Sequence, residues 1–382
     1  MHYLTPRIQT YAWGSRSFIQ GLLSEYQEDK IAELWLGAHP KAPAGIEGQA
    51  LDALLMSDPD YWFGAEAKAG AARLPYLLKV LAADEPLSIQ VHPSKAQAEQ
   101  GFARENVLGV PLDANERNYK DDNHKPELIM ALTPFDALCG IRDYPEIIEL
   151  FRLYQLDTFF ASFAAFALSP DRASFTELYM ELLSGETKGI ALHLQQLESK
   201  AAYAEELNCA RQLLTHYPDD PFVIAPFIMN LIRLRPHDAI FLEAGIPHAY
   251  LKGAGVEIMA SSDNVLRAGL TPKHIDKDEL LAIARLEPYL PELLTVPDPA
   301  DTLHYYPCPS QDFRLASCDL KDKIVISDIR KPAIILCLEG YLRLHSSEQE
   351  LILTKGKAAI ATAADAVILA KGPAYFVVAQ PG

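Results

Sequence analysis

Ala239-Ile240-Phe241-Leu242-Glu243-Ala244-Gly245-Ile246-Pro247-His248 is the stretch whose pattern governs the rest of the chain. A short apolar strand ends at Leu242, a turn carrying Gly245 and Pro247 follows, and an imidazole stands just beyond it. Downstream lie Tyr250, Glu257 and the run Ser262-Asp263-Asn264-Val265-Leu266-Arg267-Ala268-Gly269-Leu270-Thr271-Pro272-Lys273. Buried polar and charged groups are costly unless paired, so this density of ionisable residues among buried strands requires partners, water, a metal or a ligand.

Earlier segments offer those partners. The run Leu74 to Leu81 reads as a strand interrupted only by Lys79, which must point inward or be exposed. Between Pro86 and Pro93, Leu87, Ile89 and Val91 alternate with Ser88, Gln90 and His92. Alternate residues of a strand share a face, so the three polar side chains lie together, as a barrel interior that holds a ligand would require. In Asn123-His124-Lys125-Pro126-Glu127, Pro126 imposes an extended entry and Glu127 opens the next apolar strand. Gln90, His92, Glu127 and His248 thus stand at strand starts or ends. Two imidazoles and one carboxylate suit zinc or another first-row divalent ion, with Gln an uncommon fourth ligand. One carboxylate against a divalent cation leaves a net positive site with Lewis-acid strength. The plainer readings are a satisfied core histidine and, for Glu127, a solvated strand end. Lys79, Lys125, Arg267 and Lys273 are the cations at hand; with a metal they imply a small anionic ligand such as a sugar phosphate, which Arg grips through paired donors.

Composition narrows the classes. At 382 residues the chain can hold two or three domains, and 49% hydrophobic with 22% charged residues is globular. No apolar run reaches the roughly 18–20 residues of a membrane helix, and Met1-His2-Tyr3-Leu4-Thr5-Pro6-Arg7 lacks the shape of a signal peptide. A cytoplasmic protein without membrane contact is expected. A net charge of −17 argues against a nucleic-acid surface, although a few local cations can still dominate a cleft. Five scattered cysteines with no CxxC pair indicate neither a disulfide framework nor a thiolate metal site. Residues 51–56 read as a short helix, and 222–232 are ambiguous between helix and strand. Apolar residues recur at helical spacing from Pro145 to about Tyr217, and short strands with turns return beyond Pro297. The expectation is a mainly β chain with an α-helical insertion: catalytic domain over 1–144 and 221–296, inserted helical domain over 145–220, and an all-β module over 297–382 that carries no chemistry.

The strand, Gly-containing turn and His also resemble the second short motif of cupin barrels. Tyr11-Ala12-Trp13-Gly14, Glu33-Leu34-Trp35-Leu36-Gly37-Ala38-His39-Pro40-Lys41-Ala42-Pro43, Leu87-Ser88-Ile89-Gln90-Val91-His92-Pro93, Asn123-His124-Lys125-Pro126-Glu127 and Ser262 to Thr271 together resemble the type I mannose-6-phosphate isomerase (phosphomannose isomerase) family, in collinear order to about residue 276. The resemblance implies a zinc-dependent aldose–ketose isomerase that interconverts mannose 6-phosphate and fructose 6-phosphate through a cis-enediol. It implies a cupin or jelly-roll catalytic barrel, an inserted helical domain, a second C-terminal jelly-roll barrel, and one zinc per chain; a monomer is expected. The family's zinc ligands fall on Gln90, His92, Glu127 and His248, and its essential arginine on Arg267. Its other active-site positions fall on Ser88, Lys79, Lys125, Glu257, Asp263 and Lys273, with His124 in the family's Asn-His-Lys-Pro-Glu context. Glu257 is the first choice for the base, and Lys125 and His124 are alternatives. Lys79, Ser88 and Lys273 are candidates for phosphate; Trp13 is counted as a substrate contact, with core packing as its plainer reading. The rivals are a ferrous cupin oxygenase, which needs open the position Gln90 would fill, and a sugar-phosphate binder without catalysis.

Overall fold

In the computed structural model, which describes residues 1–24, 29–64, 73–185, 188–295, 300–327, 330, 332–347, 349–365 and 367–382, the strand His248–Ala260 joins two facing sheets. Its first part pairs with Ile89–Val91 and Phe135–Ile141; its second part pairs with Tyr76–Ala83 and Glu127–Ala131, all antiparallel. The change of partners occurs at Gly253, with a φ of 123° and a position where a Cβ would stand 2.6 Å from the Pro134 carbonyl oxygen. A strand that crosses between sheets must bend sharply, and only glycine fits that bend against so close a neighbour.

The first sheet also carries Leu266–Gly269 and Met229–Leu234; the second also carries Arg7–Gln9, Glu33–Gly37, Ala239–Leu242 and Leu293–Leu294. Between them Leu81, Ile129 and Ala131 meet Phe135, Ala137, Cys139 and Tyr250 in one buried cluster. Alternation then decides what each outer face meets. On the first sheet Ile89, Val91, Ala249 and Leu251 turn outward against helices that include Tyr144–Leu153, Arg172–Ser184 and Ala204–His216. Among the described residues, helices occupy most of the chain between Tyr144 and His216, and their apolar side is continuous with the back of this sheet. Within it, Arg172–Ser184 starts at a reciprocal cap between Asp171 and Ser174.

On the second sheet Leu78, Val80, Leu128, Met130, Val256 and Ile258 pack against Leu315, Ile334, Leu336 and Val377 of the C-terminal sheet. Tyr76 pins the two by donating its hydroxyl to the Pro332 and Ala379 carbonyls at 3.2 and 2.9 Å. His2–Leu4 pairs with Ala358–Ala361, so the first strand of the sequence belongs to this last sheet. The expected boundary at 296–297 falls outside the described residues.

Among the described residues the chain is mainly β with several helices. Leu51–Ser57 is the short helix expected there, and the ambiguous 222–232 stretch divides into the 3-10 helix Pro221–Phe227 and the strand Met229–Leu234. The strand read over Pro86–Pro93 is shorter than expected, with ladder pairing only over Ile89–Val91. Prolines at both ends lack an N–H for the ladder. No helix among the described residues is long and apolar enough to cross a membrane.

Candidate metal centre and active site

Register brings the polar positions into rows. His248 pairs with Gln90 and Gln90 with Arg267, so three adjacent strands present these side chains on one face. Across the interior, Glu257 pairs with Lys79 and Lys79 with Trp35. Ile129 stands beside Glu257 at the end of that row, and Glu127 lies two residues from Ile129 and Glu33 two from Trp35, on the same face.

His92, Glu127 and His248 are almost wholly buried, at 2%, 1% and 1% exposure, and one ligand atom from each lies within 4.8 Å of the others. The Nδ1 atoms of His92 and His248 stand 2.7 and 2.9 Å from the Asn264 and Ile246 carbonyls. A carbonyl can only accept, so each Nδ1 carries a proton, and in the neutral ring Nε2 keeps its lone pair. Those Nε2 atoms lie 3.4 and 3.3 Å from the Glu127 oxygens, yet neither has a hydrogen-bond partner, and neither does Glu127 Oε2. Burial and the Lys125 ammonium hold the His92 imidazole down to about 4, so it is neutral. Burial opposes the charge of Glu127, but the Lys125 ammonium 2.7 Å away leads the interactions that keep the carboxyl well below its ordinary range. Two lone pairs and a carboxylate aimed at one another repel unless a cation lies between them. The donor set fits a divalent zinc ion, whose histidine ligands commonly donate their second ring N–H to a carbonyl.

Lys79 does not stand free for an anion. Its ammonium lies 2.9 Å from Glu257 and 3.6 Å from Glu33, and it sits over the Trp35 ring at 5.5 Å. Burial pulls it down, but Glu257, Glu33 and Glu127 together outweigh that, and it stays above the ordinary lysine value. Glu257 receives a second hydrogen bond from the Tyr250 hydroxyl at 2.9 Å, and Glu33 receives one from the Trp35 indole at 2.7 Å. Burial nevertheless raises the Glu257 carboxyl above its usual value, against the pull of Lys79. Arg267 donates to Ser88 at 2.8 Å, and its charge, followed by burial, lowers the Lys273 ammonium, as two cations turned toward one region should.

The remaining expected residues are more dispersed. Lys125 is taken up by Glu127. His124 is bonded to Asp312 at 2.7 Å, on the side of the C-terminal sheet. Asp263 meets Lys41 at 2.9 Å and His39 at 3.5 Å. Trp13 stacks with Tyr11 at 5.7 Å and packs on the cluster between the sheets. Sequence reasoning passed over Glu33; its two-residue spacing from Trp35, with Lys79 on the next strand, was the available sign.

Residues 1–144 match the family model for the catalytic domain of type I phosphomannose isomerase. The chain is 40% identical over 382 residues to mannose-6-phosphate isomerase of Escherichia coli (strain K12), covering 97% of each protein. The chain belongs to the type I phosphomannose isomerase family. Likeness within the family extends to mouse mannose-6-phosphate isomerase, 32% identical with 95% of this chain and 93% of the relative covered. The crystal structure of the apo form of mannose 6-phosphate isomerase from Salmonella typhimurium superposes with a TM-score of 0.91 at 36% identity, covering 100% of this chain and 99% of the other. A mannose 6-phosphate isomerase bound with zinc and yttrium matches with the same score, identity and coverage.

Proposed function

We infer that this chain is a zinc-dependent aldose–ketose isomerase that interconverts mannose 6-phosphate and fructose 6-phosphate through a cis-enediol. The observation that carries the reading is the trio of unpartnered ligand atoms on His92, Glu127 and His248, with His248 in register beside Gln90 and Arg267. These three and Gln90 hold one zinc per chain. Bound zinc supplies Lewis-acid polarisation of a substrate oxygen.

The chain's own residues do the rest. Glu257 takes the proton from C2 of the open-chain sugar and returns it to C1. Burial moves its carboxyl upward, the direction that strengthens a carboxylate base, while Lys79 and Tyr250 fix its two oxygens. Arg267, oriented by Ser88 and joined by Lys273, takes the phosphate, or stabilises the enediolate where the substrate brings that charge close. Lys79 serves Glu257 in this reading rather than phosphate. Lys125 steadies Glu127, and Lys125 and His124 remain the alternative bases. Asp263 fixes Lys41 and His39 at the edge of the site, and Trp13 borders the sugar. The strand that switches sheets supports a cupin barrel over 1–144 and 221–296, with the helices of 145–220 as an insertion and 297–382 as a second jelly roll. The acidic balance suits a monomeric cytoplasmic enzyme with no nucleic-acid or membrane partner.

A coupled assay from fructose 6-phosphate tests this before chelation, after it, and with zinc restored. Activity lost and recovered is the expected result. Tight sugar-phosphate binding without turnover would make the chain a binder, and iron-dependent oxygen uptake would make it an oxygenase.

A further inference from the structure

Asn264 is completely buried, and its amide is hydrogen-bonded at both ends. Its Oδ1 accepts from the backbone N–H groups of Lys120 and Asp121 at 2.7 and 3.2 Å. Its Nδ2 donates to the carbonyls of Asp121 and Asn123, both at 2.8 Å, and reaches the Asp121 carboxylate at 3.2 Å. A side-chain amide offers two acceptor sites and two N–H donors, and here backbone groups of one loop satisfy all of them. That loop leads through Lys125 and Pro126 directly into Glu127.

The backbone of the same residue faces the other way. The Asn264 carbonyl is the acceptor for His92 Nδ1 at 2.7 Å, the contact that leaves His92 Nε2 unprotonated toward Glu127 and His248. Ser262 and Asp263 tighten the same knot: the Ser262 hydroxyl donates to Asp121 at 2.8 Å and to the Asn123 carbonyl at 3.2 Å, and the Asp263 N–H donates to Asp121 at 2.7 Å. Asn264 N–H in turn donates to the Ser262 hydroxyl at 3.2 Å.

We propose that Asn264 is a positioning residue of the metal centre, coupling the ring orientation of His92 to the loop that delivers Glu127. It touches neither metal nor substrate. One residue sets two ligands from separate segments of the chain, because its carbonyl aims the first and its amide anchors the approach to the second. Groups that orient metal ligands typically change metal affinity by ~10–100-fold when lost. The inference rests on the zinc reading above, and the test separates the two.

Asn264→Asp keeps the size of the side chain but turns an oxygen toward the Asp121 and Asn123 carbonyls. Zinc affinity is measured by competition with a chromophoric chelator, beside the melting temperature of the metal-free protein. The expected result is zinc binding weakened by ~10–100-fold, with the melting temperature rising less on metal addition than in the parent. The visible spectrum of the cobalt-loaded variant should differ from the parent at saturating metal, which a loss of stability alone would not produce. Zinc affinity within twofold of the parent with an unchanged cobalt spectrum would overturn the proposal, even if the metal-free protein melted lower. Should Asn264→Asp fail to fold, Ser262→Ala removes part of the same knot and should still weaken zinc binding severalfold; unchanged affinity there would overturn the proposal equally. A parent protein that bound no zinc would instead overturn the metal centre itself.

Discussion

Replacing Lys79 with Met removes a buried ammonium while keeping a side chain of similar length and apolar stem. Two carboxylates lose their cation: Glu257, at 2.9 Å, keeps only the Tyr250 hydroxyl, and Glu33, at 3.6 Å, keeps only the Trp35 indole. Removing one partner of a buried ion pair costs about 3–5 kcal/mol, chiefly because the other charge is left uncompensated. The protein can relieve the strain by protonating Glu257, whose carboxyl burial already raises. In the variant that carboxyl rises further, so the folded state holds the proton more tightly than the unfolded chain, where a glutamate titrates at about 4.3. The folded state then binds more protons than the unfolded one, and stability falls as pH rises between those two values. The deficit of Lys79→Met is therefore largest above the raised Glu257 value and shrinks as pH falls toward the unfolded one. Urea unfolding of the zinc-loaded parent and variant at several pH values measures it, and steady-state kinetics should show kcat falling more than KM rises, because a protonated Glu257 cannot act as a base. A variant within about 1 kcal/mol of the parent at every pH, with only a raised KM for the phosphorylated sugar, would refute this reasoning and return Lys79 to the phosphate.

Three further outcomes are expected. Arg267→Lys should keep the fold but raise KM by ~10–100-fold, since a point charge replaces a forked donor; an unchanged KM in the coupled assay would remove Arg267 from the phosphate. Glu257→Gln should abolish most turnover at unchanged zinc content, and nearly full turnover would exclude it as the base. Tyr76→Phe leaves the Pro332 and Ala379 carbonyls without their donor and should cost about 1–3 kcal/mol in denaturant unfolding, while zinc affinity and KM stay at parental values.

The proposed metal ligands were legible because each sits where local pattern speaks. Gln90 and His92 alternate with apolar residues, Glu127 follows Pro126, and His248 follows a glycine turn. The strand after His248 was harder to read as a single element, because Gly253 and Gly255 interrupt the apolar alternation. Both glycines answer close approaches of neighbouring strands, to Pro134 and Met130, which are visible only after pairing. The union of His2–Leu4 with Ala358–Ala361 lies almost the whole chain apart in sequence, and no local period announces it. Lys79 was recognised as anomalous, but its partner Glu33 comes from a separate strand through register. Asn264 was the least legible: half of its contribution is a backbone carbonyl, which every residue possesses.

The central claim is that one zinc is held by imidazole nitrogen and by oxygen, from His92, His248, Glu127 and Gln90. X-ray absorption at the zinc edge of the loaded protein tests it most directly. The account predicts a first shell of nitrogen and oxygen only, at about 2.0–2.2 Å, with the outer-ring scattering of two imidazoles. A sulfur scatterer at about 2.3 Å, or a shell without imidazole, would contradict it.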